Sequence, residues 1–309
     1  MLMSMIAALG MAEPQEIRID GPAGPVVGTL TDPGADAPAI VWIAGSGPTD
    51  RDGNSPAGVT GGVYKQLAET LAAEGVAMLR FDKRGMFASE SAIADANDVT
   101  LAGYADDARG FVEALRAAGR DCVWLAGHSE GGIVALTEAA RNPDGLCGVL
   151  LVASPGRPIG PILREQLGAQ LPPPMMAQAE TAIASLEAGE RVDVSDMAGP
   201  LKGLFNPAVQ DYLIELATND PADLARQVAV PMLIVSLDED IQVGGADADA
   251  LSAAQPGATR VDVPGVNHVF KPVEAGAGRM MNVMTYANAD LAIDPAVAAA
   301  IAAFVKTQE

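Results

Sequence analysis

The stretch from Val123 to Leu136 reads VWLAGHSEGGIVAL. A short apolar run leads into Gly127-His128-Ser129-Glu130-Gly131, and a second apolar run with helical spacing follows. A Gly-x-Ser-x-Gly pattern between a strand and a helix predicts a sharp turn that exposes the serine hydroxyl. The pattern alone can arise by chance among 33 glycines, so the prediction depends on both flanking runs. We therefore predict that Ser129 is a nucleophile.

The composition bounds the core and the class of partner. With 309 residues, of which 49% are hydrophobic, the chain can form one large α/β domain or two ordinary ones. Nineteen basic against 40 acidic residues give a net charge of −21, which repels phosphate backbones and anionic lipid. We therefore expect a small-molecule substrate, no nucleic acid and no membrane partner. The oligomeric state stays open between monomer and homodimer.

Residues 1–12 are small and apolar and resemble the end of a signal peptide, but they lack a positively charged start. A short helix with Leu2, Ile6 and Leu9 on one face is the alternative. The compartment is therefore uncertain, and we expect the cytoplasm rather than the periplasm.

The cysteines, Cys122 and Cys147, lack the spacing of a metal site. Each lies beside a predicted strand, and a disulfide is conceivable if those strands are neighbours. We expect two buried free thiols instead, which is the common state of unpaired cysteine in a core.

Strand and helix patterns alternate along most of the chain, which predicts an α/β fold with a mostly parallel central sheet and helices on both faces. The pattern changes between Pro155 and Val228, where prolines, methionines and helical stretches cluster. We predict a core formed by residues 1–154 and 229–309, with residues 155–228 inserted as a helical cap. Such a cap predicts a bounded pocket, in which methionines such as Met280, Met281 and Met284 either line an acyl site or pack in the core.

A nucleophilic serine needs a base, and histidine is the usual one near neutral pH. The chain has two histidines. His128 directly precedes Ser129, so its side chain is expected to point away from the serine. His268 follows the last predicted sheet strand, at the carboxyl end where such sheets place active sites. We predict His268 as the base by elimination.

The third group must be a carboxylate that orients the imidazole and stabilises its cation. The segment Leu237-Asp238-Glu239-Asp240 offers three candidates after a predicted strand, in the order serine, acid, histidine. Spacing alone does not choose among them.

Several separated motifs, in the right order, resemble those of bacterial serine esterases of the α/β-hydrolase superfamily. The resemblance covers roughly residues 16–309. The matching stretches are GSGPTDRDGN at 45–54, FDKRG at 81–85, GHSEGG at 127–132, DIQV at 240–243 and GVNHVF at 265–270.

The resemblance implies that Asp240, which precedes the Ile-Gln-Val run, is the triad acid, with Asp238 as the runner-up. It also implies that the backbone N–H of Ser46 is one donor of an oxyanion hole. The second donor is expected from Glu130, the residue after the nucleophile. Two positions depart from the pattern of these esterases. Ala44 stands before Gly45 where a histidine is usual, and Leu237 stands before the acidic segment where a glycine is usual.

The predicted function is hydrolysis of carboxylic esters with short to medium acyl chains, through an acyl-enzyme on Ser129. The same triad also serves aminopeptidases, thioesterases, lactonases and acyl transferases, and a non-catalytic binding protein on this scaffold is the alternative of another class. Glu180, Glu187 and Glu190 are the candidate amine-binding carboxylates for a peptidase. We expect no cofactor and no metal, because the sequence contains no phosphate loop and no metal-type cluster, and Gly45-x-Gly47 lacks the third glycine of a dinucleotide site.

Overall fold

The computed structural model describes residues 13–308. The prediction of a signal remnant or short helix at 1–12 lies outside the described residues. The strands form one eight-stranded sheet in the order β1-β2-β4-β3-β5-β6-β7-β8. Their bounds are β1 Gln15–Asp20, β2 Pro25–Thr31, β3 Ala39–Ile43, β4 Ala77–Phe81, β5 Val123–His128, β6 Leu146–Val152, β7 Met232–Leu237 and β8 Thr259–Val263.

The first two strands form an antiparallel hairpin, and β2 also pairs antiparallel with β4. Every later pair is parallel. The central strands are continuous apolar runs, because helices cover both faces of a parallel sheet. All five residues of β3 are buried. The predicted α/β fold with a mostly parallel sheet is confirmed.

Eleven α-helices connect the strands of the described chain. Their bounds are α1 Val63–Ala73, α2 Leu101–Ala117, α3 Glu130–Arg141, α4 Ile159–Gly168, α5 Pro173–Glu187, α6 Gly199–Leu204, α7 Gln210–Thr218, α8 Pro221–Gln227, α9 Gly245–Ala254, α10 Arg279–Tyr286 and α11 Pro295–Thr307. Helices α2, α3 and α9 pack on one face of the sheet, and α1 and α11 pack on the other. None of the helices described between residues 13 and 308 is long and apolar enough to cross a membrane.

Helices α4 to α8 lie between β6 and β7, where the sequence changes its pattern. Side chains of α5 and α6 form an apolar cluster of their own with Phe205, separate from the two clusters beside the sheet. Helix α8 differs, because it packs against α3 and α9 and its Ala225 joins the core beneath the sheet. The inserted segment therefore has its own small core, and its last two helices also contribute to the core beside the sheet, α7 through Tyr212 and Leu216.

The expectation of free thiols is wrong. Cys122 and Cys147 form a disulfide, with their Cα atoms 5.2 Å apart. The two residues face each other because β5 and β6 are neighbours, and the register shifts between Val123 and Trp124. Disulfides are most common in proteins of oxidising compartments.

Candidate active site

Ser129 lies in the turn between β5 and α3. Its φ of 52° and ψ of −128° are unusual for a residue with a side chain. Hydrogen bonds on both sides hold it there: its N–H donates to Val152 O at 3.0 Å, and Gly132 N–H donates to its carbonyl at 2.9 Å. Strained backbone of this kind costs of order 1–3 kcal/mol and persists only where the surroundings enforce it. The turn leaves Ser129 half-buried, at the edge of a cavity.

The glycines of this turn are required by close backbone contacts. A Cβ on Gly127 would lie 2.1 Å from Gly131 O, and one on Gly131 would lie 2.3 Å from Ile43 O. The start of α3 therefore lies directly against the end of β3. This contact brings the residues that follow β3 next to the nucleophile.

His268 follows β8 in a tight loop and is only 4% exposed. Its Nδ1 lies 2.6 Å from Oδ2 of Asp240. Since an ionised carboxylate only accepts hydrogen bonds, Nδ1 carries the proton and Nε2 is left to accept one. The imidazole therefore has the tautomer that a general base needs.

Asp240 is held by the backbone as well as by His268. Its carboxylate is fully buried, and Oδ1 accepts from the N–H groups of Gln242 at 2.7 Å and Val243 at 3.0 Å. The runner-up Asp238 instead accepts from Gly265 N–H at 2.5 Å. Only Asp240 contacts the imidazole among these carboxylates of the β7 loop, so the geometry supports the choice made by resemblance.

A cavity of about 310 Å³ connects the predicted groups, and Ser129, His268 and Ser46 all line it. Hydrogen bonds among residues 13–308 join His268 to Asp240 but not to Ser129. Hydrogen bonds between a nucleophile and its base are often long before a substrate binds. The structure thus brings the predicted nucleophile and base to one cavity.

The predicted oxyanion donors flank Ser129. Gly45 and Ser46 follow β3, and a Cβ on Gly45 would lie 3.2 Å from Ser129 Cβ. Glu130 is the first residue of α3, where the backbone N–H groups have no partner within the helix. The positive end of the helix dipole also favours negative charge at this point.

His128 is buried, and both of its ring nitrogens have partners. Tyr64 Oη lies 2.7 Å from Nδ1, and Nε2 lies 2.9 Å from the carbonyl oxygen of His268. A carbonyl only accepts, so Nε2 carries the proton and Nδ1 accepts from the tyrosine. Burial, reinforced by the nearby His268, lowers the pKa of His128 well below its usual value. This histidine is therefore neutral and holds the backbone of His268, a role that the sequence did not reveal.

Ion pairs tie the acidic loop after β3, residues 50–54, to neighbouring segments of the chain. Asp52 pairs with Arg80 at 2.9 Å, and Arg51 contacts Asp82 at 3.8 Å, so both reach β4 and the turn after it. Asp50 accepts from the N–H of Asn54 at 2.8 Å and closes the loop on itself.

Helix α10 is a part of the site that the sequence analysis missed. Asn282 on this helix donates to the carbonyl of Glu239 at 2.7 Å and accepts from Asn267, the residue before His268. Tyr286 at its end lines the cavity and accepts from Gln242 at 3.3 Å. The helix therefore connects the loop that carries Asp240 to the loop that carries His268. The proposed methionines of this helix are exposed and line no acyl site: Met280, Met281 and Met284.

The cavity walls come from segments other than the inserted one. The lining consists of Gly45, Ser46, Thr49, Gly53, Ser55, Ala57, Val59, Val63, Tyr64, His128, Ser129, Gln242, His268, Val269 and Tyr286. These side chains carry no carboxylate and no lysine or arginine. Within residues 13–308, no cluster of His, Cys, Asp or Glu side chains is arranged to hold a metal ion.

Comparison with solved structures places this geometry in a known fold. An esterase from Thermogutta terrifontis matches with a TM-score of 0.57 and 20% identity, over 95% of this chain and 99% of that one. The chain has the α/β-hydrolase fold. The family described as serine aminopeptidase, S33, matches residues 57–202 of the chain.

Relatives by sequence carry hydrolase names. Esterase EstD of Thermotoga maritima is 26% identical over 240 residues, which cover 77% of this chain and 54% of EstD. The chain thus spans about half the length of that relative. A putative carbamate hydrolase, RutD of Klebsiella pneumoniae, is 29% identical over 239 residues, or 71% of this chain and 85% of that protein.

Proposed function

We propose that the protein is a serine carboxylesterase that hydrolyses small to medium uncharged esters. The observation that carries the proposal is that Ser129 and His268 line one cavity, and that buried Asp240 contacts the imidazole of His268 from behind. Similarity to an esterase of Thermotoga maritima supports the same reaction class.

In the proposed mechanism, Ser129 Oγ attacks the ester carbonyl while His268 Nε2 accepts the hydroxyl proton. The imidazolium that forms is stabilised by Asp240, which already accepts from Nδ1. The tetrahedral oxyanion accepts hydrogen bonds from the N–H groups of Ser46 and Glu130. His268 returns its proton to the leaving alcohol, and the acyl group stays on Ser129. Water, activated by the same histidine, then releases the carboxylic acid and restores the serine.

The lining of the cavity favours an uncharged substrate. An aminopeptidase must bind the free amine of its substrate, which calls for a carboxylate in the pocket. Glu180 and Glu187, two candidates for that role, are both paired with Arg164 on α4. Glu190 is exposed and does not line the cavity. We therefore rank ester hydrolysis above peptide hydrolysis, despite the name of the matching family.

We also propose that residues 155–228 form a cap beside the active site rather than its wall. Gln166 of α4 donates to the carbonyl of Gln242 at 2.8 Å, and the side chain of Gln242 lines the cavity. The size limit on the acyl group is instead set by the 45–64 segment and by Tyr286. A preference for long-chain triglycerides over short p-nitrophenyl esters would contradict this substrate range.

Labelling with a fluorophosphonate tests the nucleophile directly. The wild-type protein should be labelled, and Ser129→Ala should not be. Matched ester, thioester, amide, lactone and carbamate substrates then rank the reactions of this triad, with the highest kcat/KM expected for esters of short acyl chains. A protein that is not labelled and hydrolyses none of these substrates would support the binding-protein alternative.

A further inference from the structure

Lys83 is a buried lysine in the turn after β4, with only 2% of its side chain exposed. Its Nζ donates to the carbonyl of Gly45 at 2.7 Å and lies 3.7 Å from Oε1 of Glu130. The ring of Tyr104 lies 5.3 Å from the same nitrogen. Burial lowers the pKa of the Lys83 ammonium, and the Glu130 carboxylate opposes that shift. The lysine therefore connects the loop after β3, through Gly45, to the start of α3, through Glu130.

Both partners of Lys83 carry a proposed oxyanion donor. The carbonyl of Gly45 and the N–H of Ser46 belong to the same peptide unit. That unit is planar and trans, so its C=O and N–H point in opposite directions. A donor fixed on Gly45 O therefore sets the direction of the Ser46 N–H. Glu130 supplies the second N–H from its own backbone, and its side chain is the ion-pair partner of Lys83.

We propose that Lys83 is a positioning residue of the oxyanion hole, which aims the Ser46 N–H at the reacting carbonyl and fixes the start of α3 through Glu130. The inference rests on the proposed function, because it assigns a role within that reaction. The ammonium also polarises the Gly45–Ser46 peptide, which strengthens its N–H as a donor. This interaction gains importance as negative charge develops in the transition state, so it acts on kcat more than on KM.

Arg84, the neighbouring residue, offers a matched control. It is also a largely buried cation of the same turn, and it forms a two-point ion pair with Asp107 on α2, with distances of 2.7 Å. Neither of these contacts reaches Gly45, Ser46 or Glu130. Arg84→Met should therefore lower stability without aiming any donor differently.

The experiment compares Lys83→Met, Lys83→Gln and Arg84→Met with the wild-type protein. The readouts are kcat and KM for p-nitrophenyl acetate, the inhibition constant of a trifluoromethyl ketone, and the melting temperature. Loss of a whole oxyanion donor costs about 100- to 1,000-fold in kcat. A misdirected donor should cost less, so we expect Lys83→Met to lower kcat by about 10- to 100-fold, with KM changed by less than about threefold.

The affinity for the ketone, whose adduct carries an oxyanion, should fall by the same factor as kcat. Lys83→Gln keeps an N–H donor near Gly45 without the charge, so it should lose less than Lys83→Met, and it serves as the test if the methionine variant does not fold. Arg84→Met should keep kcat within about twofold while its melting temperature falls.

A folded Lys83 variant with the kcat and ketone affinity of the wild type would overturn the inference. Equal losses of kcat in the Lys83 and Arg84 variants would overturn it as well, since they would indicate general destabilisation. Failure of the proposed function looks different, because the wild-type protein itself would then show no hydrolysis that depends on Ser129.

Discussion

The conversion of Asp240 to asparagine tests the triad most sharply, because the hydrogen bonds of the carboxylate are fully specified. Oδ1 accepts two backbone N–H groups, from Gln242 and Val243, and Oδ2 accepts from His268. In Asp240→Asn the amide oxygen must take the place of Oδ1, since the amide nitrogen cannot accept a hydrogen bond. The NH₂ group then faces His268 Nδ1 as a donor. The imidazole responds by moving its proton to Nε2, where it can no longer accept the proton of Ser129.

The magnitude follows from the cost of the alternative orientation. The productive tautomer requires the amide to turn round, which leaves the N–H groups of Gln242 and Val243 buried without an acceptor. Each lost partner costs about 1–3 kcal/mol, or about 2–6 kcal/mol for both. At about 1.36 kcal/mol per factor of ten, kcat should fall by about 30- to 25,000-fold. The upper part of this range agrees with the loss of about 10⁴ known for a triad aspartate changed to asparagine.

The assay is steady-state hydrolysis of p-nitrophenyl acetate at neutral pH, with circular dichroism and the melting temperature as controls for folding. Asp238→Asn is the matched control, because that carboxylate contacts Gly265 N–H and not the imidazole. We expect Asp238→Asn to retain kcat within about fivefold, as a change in a single hydrogen bond away from the reacting atoms. A larger loss in Asp238→Asn than in Asp240→Asn would refute the assignment. So would an Asp240→Asn variant with more than about a third of the wild-type kcat.

The other predictions concern groups that support the site. His128 is neutral in the folded protein because burial lowers its pKa, so below a pH of about 6.5 only the unfolded chain binds a proton at this residue. The free energy of unfolding should therefore fall with decreasing pH, by up to about 1.4 kcal/mol per pH unit. Urea titrations between pH 5 and 7 should show that the free energy of unfolding depends less on pH in His128→Gln than in the wild type, and equal dependence would contradict this. Gly131→Ala places a Cβ 2.3 Å from Ile43 O, which should lower the free energy of unfolding by about 1–3 kcal/mol and also lower kcat. An unchanged melting temperature would be evidence against the close contact. The Cys122–Cys147 bond closes a loop with a sequence separation of 25, so its reduction should lower the free energy of unfolding by about 3.5 kcal/mol; two titratable thiols in the native protein would show that the bond is absent.

The sequence predicts the sheet and the turn that carries Ser129, because each of them accepts only certain residue types. A parallel strand buried on both faces must be apolar, and the sharp turn before α3 tolerates no Cβ at Gly127 or Gly131. His268 could be chosen because the only other histidine directly precedes the nucleophile. These features depend on short-range chemistry that is visible in a few consecutive residues.

The acid could not be chosen from spacing, since the three carboxylates after β7 occupy consecutive positions 238–240. What separates them is the path of the loop, in which the N–H groups of Gln242 and Val243 turn back towards Oδ1 of Asp240. Such a turn depends on contacts with α10 through Glu239 and Asn282, which are distant in sequence. The resemblance to esterases supplied the choice that local physics did not.

The sequence does not predict the position of helix α10, because the spacing of its apolar residues does not indicate which segments it contacts. An amphipathic helix is recognised by apolar residues that face a core, but here the large apolar side chains are exposed, among them Met280 and Met284. Asn282, which is 1% exposed, fixes the helix by polar contacts instead. The sequence therefore predicts a pocket bounded by the 155–228 segment, whereas the cavity is lined by Tyr286 of α10 and by no residue of that segment.

Several buried side chains of this site form hydrogen bonds to the backbone of its loops. Lys83 holds the carbonyl of Gly45, His128 holds the carbonyl of His268, and Asp240 holds the N–H groups of the loop that follows it. Each of the reacting groups lies on a turn after a strand, where the ladder of the sheet no longer fixes the chain. A hydrogen bond to the backbone restores that constraint, and Lys83 and Asp240 supply theirs without lining the cavity. Substitutions of Lys83 and Asp240 should therefore change kcat through the placement of a donor and of the base, while substrate binding, which depends on the cavity walls, stays nearly unaltered.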